Sequence, residues 1–231
     1  MCGRATLTVV DYPTLAESLG VEAKPEYAAL YKPRWNLAPT DPHWILRLAE
    51  SGKRELEPAR WGLVNEWAKD LSRQAQQINA RAEEVAKKPA YREAYRKRHC
   101  LVPVDGYYEW VGPPKRRMPI WFHRADDGVM LLAGLWEDWK NKASGEARRT
   151  FTVLTRDAKG LSANYHDRMP VIVPRAYEDT WLLTGTTEEP PAWPDYVEPE
   201  LMAKEVSRRA NSVKNDDASV LGPPERETLF D

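Results

Sequence analysis

Polar and apolar residues along this chain alternate mostly in short runs, and that two-residue period predicts strands. His99 to Val104, Gly106 to Val111, Pro119 to Arg124, Val129 to Trp136, Thr150 to Thr155 and Met169 to Val173 all read this way. Turn clusters such as Pro113-Pro114-Lys115 and Asp126-Asp127-Gly128 separate them. His43 to Ala49 and Arg54 to Glu57, flanking Ser51-Gly52, form a hairpin pattern. Helical spacing occurs in three places. Asp11 to Gly20 carries Leu15, Ala16 and Leu19 on one stripe between a capping aspartate and a terminating glycine. Glu83 to Arg98 is helical in character despite Pro89, and Arg175 to Leu183 follows the last strand. Residues 31–42 hold three prolines and are expected to be irregular, and the proline- and acid-rich residues 185–200 an exposed loop. Closely spaced strands with helices at the edges predict an α+β domain with a largely antiparallel sheet.

Composition narrows this further. At 231 residues, with no convincing linker or internal repeat, the chain is expected to be one domain over 1–231 with a substantial core. Lys and Arg total 34 against 35 Asp and Glu, so no global positive field advertises nucleic acid, and such a partner needs a local patch. Basic residues do cluster at Lys87 to Arg98 and at Lys115-Arg116-Arg117, as solvated faces or as phosphate contacts. The 10 Trp and 10 Tyr against 3 Phe fit either a wet aromatic groove or core. Two cysteines, no basic-then-apolar chain start and no membrane-length apolar run predict a cytoplasmic protein. No C-x-x-C occurs and His99-Cys100 is the only close His/Cys pair, so no metal is expected.

Candidate chemistry begins at Met1-Cys2-Gly3-Arg4. Removal of Met1, by an aminopeptidase or by the protein itself, leaves Cys2 with an α-amine and a thiol on adjacent carbons. Both titrate near neutrality, at about 8 and about 8.5 in reference compounds. An aldehyde can condense with the amine and then be closed by the sulfur into a five-membered thiazolidine. Asn79, Arg81 and Glu83 share one face if extended, as an ordinary strand or as a functional one. Glu109, among Tyr107, Tyr108 and Trp110, is either paired with an arginine or buried with a raised pKa suited to proton transfer. His166, beside Asp167 and Arg168, is either a proton-transfer group or a satisfied structural histidine.

These segments resemble one family in order. The quoted stretches are Met-Cys-Gly-Arg at the start, W-N-L-A-P-T at 35–40, W-G-L-V at 61–64, I-N-A-R-A-E at 78–83, C-L-V-P-V-D-G-Y-Y-E-W at 100–110, A-G-L-W-E at 133–137, T-F-T-V-L-T at 150–155 and H-D-R-M-P-V-I-V at 166–173. Together they are similar to the SRAP, or SOS response-associated peptidase, family of abasic-site-processing proteins, over about residues 2–215 with a tail at 216–231. Trp35 and Glu84 depart from the usual tyrosine and threonine. The resemblance implies a barrel-like β core with peripheral helices. It implies a monomer that needs no cofactor, binds single-stranded DNA carrying an abasic site, and becomes covalently attached through Cys2. Asn79, Glu109 and His166 would complete the catalytic set. Arg4, Arg81 and Arg168 would grip phosphates, with Asn36 positioning them, and Pro39, Trp67 and Trp110 would provide stacking surfaces. Two alternatives stay open: a cysteine peptidase using Cys2 and His166, and a non-catalytic reader of single-stranded or modified DNA.

Overall fold

The computed structural model describes residues 2–114, 116–184 and 199–224. Strand β1 (Ala5–Leu7) leads into helix α1 (Tyr12–Ser18), which starts where the Asp11 carboxylate accepts from Thr14 N–H at 2.8 Å. The chain leaves that helix at Gly20, whose φ of +66° suits a residue without Cβ. The short α2 (Pro25–Ala28) and β2 (Arg34–Leu37) precede the hairpin of β3 (Pro42–Leu48) and β4 (Arg54–Trp61). Then come β5 (Asn79–Arg81), α3 (Arg92–Lys97), β6 (His99–Val104), β7 (Gly106–Val111) and β8 (Met118–Arg124). The long pair β9 (Met130–Lys140) and β10 (Ala147–Asp157) is followed by β11 (Arg168–Pro170), α4 (Glu178–Thr184) and β12 (Leu201–Glu205).

Strands β10, β4, β3, β6 and β9 pair in that order, and β9 pairs back onto β10, so they close a five-stranded barrel. Among the described residues, only the β10–β4 and β10–β5 pairings are parallel. The second sheet runs β12-β8-β7-β1-β2. β6 is buried along its whole length, because both of its faces are covered. Along β3, Trp44 and Leu46 join one core cluster, with Tyr12, Leu15 and Trp181 from the helices, while Ile45 points into the other. That second cluster lies between the sheets and contains Cys2, Ala5, Tyr107 and Phe122. The architecture is the expected α+β fold with a barrel-like core.

Several expectations are corrected locally. Residues 31–42 contain β2, because Pro33 and Pro39 flank it and it sits on a sheet edge, where a missing N–H is tolerated. The helix expected over 83–98 is confined to Arg92–Lys97, since Pro89 disfavours helical backbone at Lys88 and the preceding residues form successive turns. The strand expected over 169–173 ends as β11 at Pro170. Beyond it Val171 N–H bonds Leu154 and Val173 N–H bonds Leu131, so one extended run divides its ladder between two strands. Most of the loop expected at 185–200 lies outside the described residues. Residues 216–224, set apart as a tail by the motifs, are packed: Val220 is fully buried, and Asp216 accepts from the backbone N–H groups of Trp35 and Asn36 at 2.7 and 2.8 Å.

Candidate active site

Cys2 lies immediately before β1, whose Ala5 pairs with Tyr107 of β7, so the chain start runs beside Glu109. β5 brings Asn79 to the same place, and Asn79 Nδ2 donates to the Cys2 carbonyl at 2.7 Å. His166, just before β11, puts Nε2 4.0 Å from Glu109 Oε2. Four groups distant in sequence therefore converge.

Their environment sets their chemistry. Cys2 is 1% exposed, with Sγ 3.7 Å from the Arg4 carbonyl. Burial, reinforced by the nearby Glu109 charge, pushes its thiol well above the usual range, so it is held as S–H. Burial also raises the Glu109 carboxyl, with His166 pulling it the other way. A carboxyl raised above its ordinary range holds a proton more readily than an exposed one, which suits it to proton transfer. Arg168 N–H lies 2.9 Å from His166 Nδ1, and Nε2 is the ring nitrogen on the side of Glu109. Asp167 Oδ1 lies 2.7 Å from Nδ1.

The expected DNA contacts divide into groups. Arg4, Pro39 and Trp110 line one open cavity of about 460 Å³ with Gly3 and Arg117. The Arg4 guanidinium lies 5.6 Å from the Trp110 ring centre and donates to Asn36 Oδ1 at 2.7 Å. Asn36 is fully buried, and its Nδ2 reaches the carbonyls of Ala210, Ser212 and Asn215, so it anchors Arg4 from beneath. Pro39 is held out by Thr40, which adopts φ +70° while its N–H bonds the Trp61 carbonyl at 2.8 Å. Arg81 is exposed on β5, on the same face as Asn79, with Ala80 buried between them. Trp67 is exposed but lines a separate cavity with Asn65 and Gln74.

Arg168 differs. Its side chain is only 6% exposed, and its guanidinium meets both oxygens of Glu83 at 2.9 Å, Asp157 at 2.5 Å and the Thr155 carbonyl at 2.7 Å. It braces the His166 segment against β10 and the residues after β5. The sequence reading missed Asn211, which accepts from Trp110 Nε1 at 2.7 Å, and Asp216 beneath β2. Neither carries a local signal, because each gains its meaning from residues about 100 or more positions away.

The family model described as SOS response associated peptidase (SRAP) matches residues 1–213. The chain belongs to the SRAP family. The abasic site processing protein YoqW of Bacillus subtilis is 33% identical over 96% of this SRAP chain and 99% of its own. The abasic site processing protein YMR114C of Saccharomyces cerevisiae is 28% identical, over 84% of this chain and 54% of its own. A solved structure from Bacteroides thetaiotaomicron shares the SRAP chain's fold with a TM-score of 0.79 at 21% identity, covering 96% of this chain and 99% of that one. Cys2, Asn79, Glu109 and His166 all lie within the matched region.

Proposed function

We propose that this protein captures abasic sites in single-stranded DNA by forming a thiazolidine between mature Cys2 and the C1′ aldehyde of the open sugar. The observation that carries the reading is the convergence of the Cys2 backbone, Asn79, Glu109 and His166, with Asn79 bonded to the Cys2 carbonyl and His166 facing Glu109. Removal of Met1 gives Cys2 the α-amine. That amine adds to the aldehyde carbon, and Glu109 takes the ammonium proton and delivers it to the hydroxyl leaving as water. His166 Nε2–H donates to the sugar oxygen as the ring opens, and Asn79 holds the open sugar against the amine. The Cys2 sulfur then adds to the imine carbon, and its proton passes to the imine nitrogen through Glu109. One aldehyde and one aminothiol give one thiazolidine and one water. Consuming the imine removes the species that drives β-elimination, so the strand stays whole. Arg4 and Arg81 supply the local cationic patch that the overall charge of −1 does not.

The peptidase reading has less support, because a thiol nucleophile is activated by a lowered pKa and burial pushes Cys2 the opposite way. Intact mass before and after incubation with an abasic oligonucleotide tests the proposal. The expected result is a chain lacking Met1 that gains the oligonucleotide mass less one water, a gain lost in Cys2→Ala. Cys2→Ser keeps the amine and is expected to give only a borohydride-trappable imine. A heat-stable adduct on the serine variant would overturn the ring-closure step, and an adduct on another residue would overturn the site.

A further inference from the structure

Segment 65–77 is a loop fastened at several points. Trp139 Nε1 donates to the Ala68 carbonyl at 2.8 Å, Leu63 N–H to the Gln77 carbonyl at 3.0 Å, and Asn65 Nδ2 to the Ala90 carbonyl at 2.7 Å. Gly62, at φ +113°, lets the chain pass so close to Gln74 that a Cβ there would sit 2.3 Å from the Gln74 carbonyl oxygen. A loop tied this firmly would be expected to satisfy its buried amides. Three amide atoms, on residues that line one cavity, stay unmet. Among the described residues, Asn65 Oδ1, Gln74 Nε2 and Gln77 Oε1 are buried with no hydrogen-bond partner, and all three residues line a hollow of about 250 Å³. Asn65 and Gln74 are only 4% and 5% exposed, while Trp67 at the same hollow is 72% exposed. Lys69 and Arg73 also line it.

An exposed indole beside buried amide donors and acceptors suits a planar heterocycle with a polar edge, and the two cations suit a phosphate attached to it. Gln77, at the edge of the hollow, lies two residues before Asn79, so the Cα atoms of these two residues are at most about 7 Å apart. We propose that this cavity is a nucleobase pocket, which takes one unstacked base near the abasic sugar and reads its hydrogen-bonding edge with Asn65, Gln74 and Gln77. The inference rests on the reading of the protein as a binder of single-stranded DNA. It adds a base preference that phosphate contacts alone do not supply.

The test measures equilibrium binding of short single strands carrying one abasic site and A, C, G or T at each of the two positions on either side. The Cys2→Ala protein is used, so that no adduct forms. The expected result is a preference of about fivefold or more at one position. It should be flattened by Gln74→Leu and redirected toward a different base by Gln74→Glu, which replaces the amide donor with an acceptor. Trp67→Ala is expected to weaken binding to every strand. Affinities equal within about twofold for all bases, a preference unchanged in both Gln74 variants, or no strand binding would overturn the pocket. Adduct formation by the native Cys2 protein is scored separately, so a failed pocket and a failed cross-linking reaction give different results.

Discussion

Asn79 Nδ2 and the carbonyl oxygen of Cys2 are 2.7 Å apart, a hydrogen bond that ties the start of the chain to β5 across 77 positions of sequence. The bond fixes Cys2 through its backbone and, in the proposed reaction, leaves its amine and thiol for the aldehyde. It also sets the direction in which a new α-amine emerges.

Replacing Asn79 with alanine removes that tether. A single neutral hydrogen bond is worth about 1 kcal/mol, so the melting temperature is expected to fall by only a few degrees. Single-turnover cross-linking is expected to slow at least tenfold, because the amine loses its orientation. A rate unchanged at saturating DNA would show that the tether has no part in positioning.

Glu109 carries opposite consequences for rate and stability. Its folded pKa lies above the ordinary carboxylate value because of burial. Stability from that shift is fully present below the unfolded pKa and is lost as pH rises through the folded one. Glu109→Gln is therefore expected to melt higher than the parent once pH exceeds the raised folded pKa, with the difference closing toward the ordinary carboxylate range. The same variant is expected to lose about 10²-fold in cross-linking rate, with strand affinity within a few fold. Paired melting and cross-linking profiles across pH check both signs.

His43 predicts acid sensitivity. Buried with Nε2 donating to the Pro103 carbonyl at 2.8 Å, it is pushed from 6.5 to about 4 by desolvation. A base with a depressed folded pKa stabilises fully above its unfolded pKa. That contribution is lost as pH falls from 6.5 toward 4, on the order of 3 kcal/mol in all. His43→Gln keeps a donor without a proton to gain, so its stability is expected to fall less steeply between pH 6.5 and 4. Denaturant melts at stepped pH measure the slope.

Arg81 and Arg168 flank the site but should behave differently. Arg168→Ala removes the ion pairs to Glu83 and Asp157 and one of two hydrogen bonds on the Thr155 carbonyl, whose other donor is Ala82 N–H, and is expected to cost roughly 2 kcal/mol of stability. Arg81→Ala, at an exposed position, is expected to leave melting unchanged while reducing the salt slope of strand binding by about one. Melting curves and salt titrations of the two variants separate the roles.

Much of the fold was legible, and the reasons are local. β6 and β7 begin and end where the alternation and the Asp105-Gly106 break place them, and α1 where Asp11 and Gly20 place it. The mistakes have local reasons too. Four extended residues between prolines look like a loop until a neighbouring strand pairs with them, as β1 does with β2. Three-residue β5 and β1 are too short to show a period of their own. Arg168 read as a phosphate contact because an arginine beside a histidine looks the same on the page whether it faces solvent or two carboxylates.

Covalent neighbours determined the strands, the caps and the aminothiol that loss of Met1 would give Cys2, because propensity, turn chemistry and a primary amine beside a thiol depend only on adjacent atoms. Tertiary structure alone decided that Glu109 is desolvated, that Arg168 is consumed by Glu83 and Asp157, and that the amides of Asn65, Gln74 and Gln77 go unmet around one hollow. Burial, charge pairing and hydrogen-bond satisfaction act over a few ångströms of space, and only folding brings such distant positions that close.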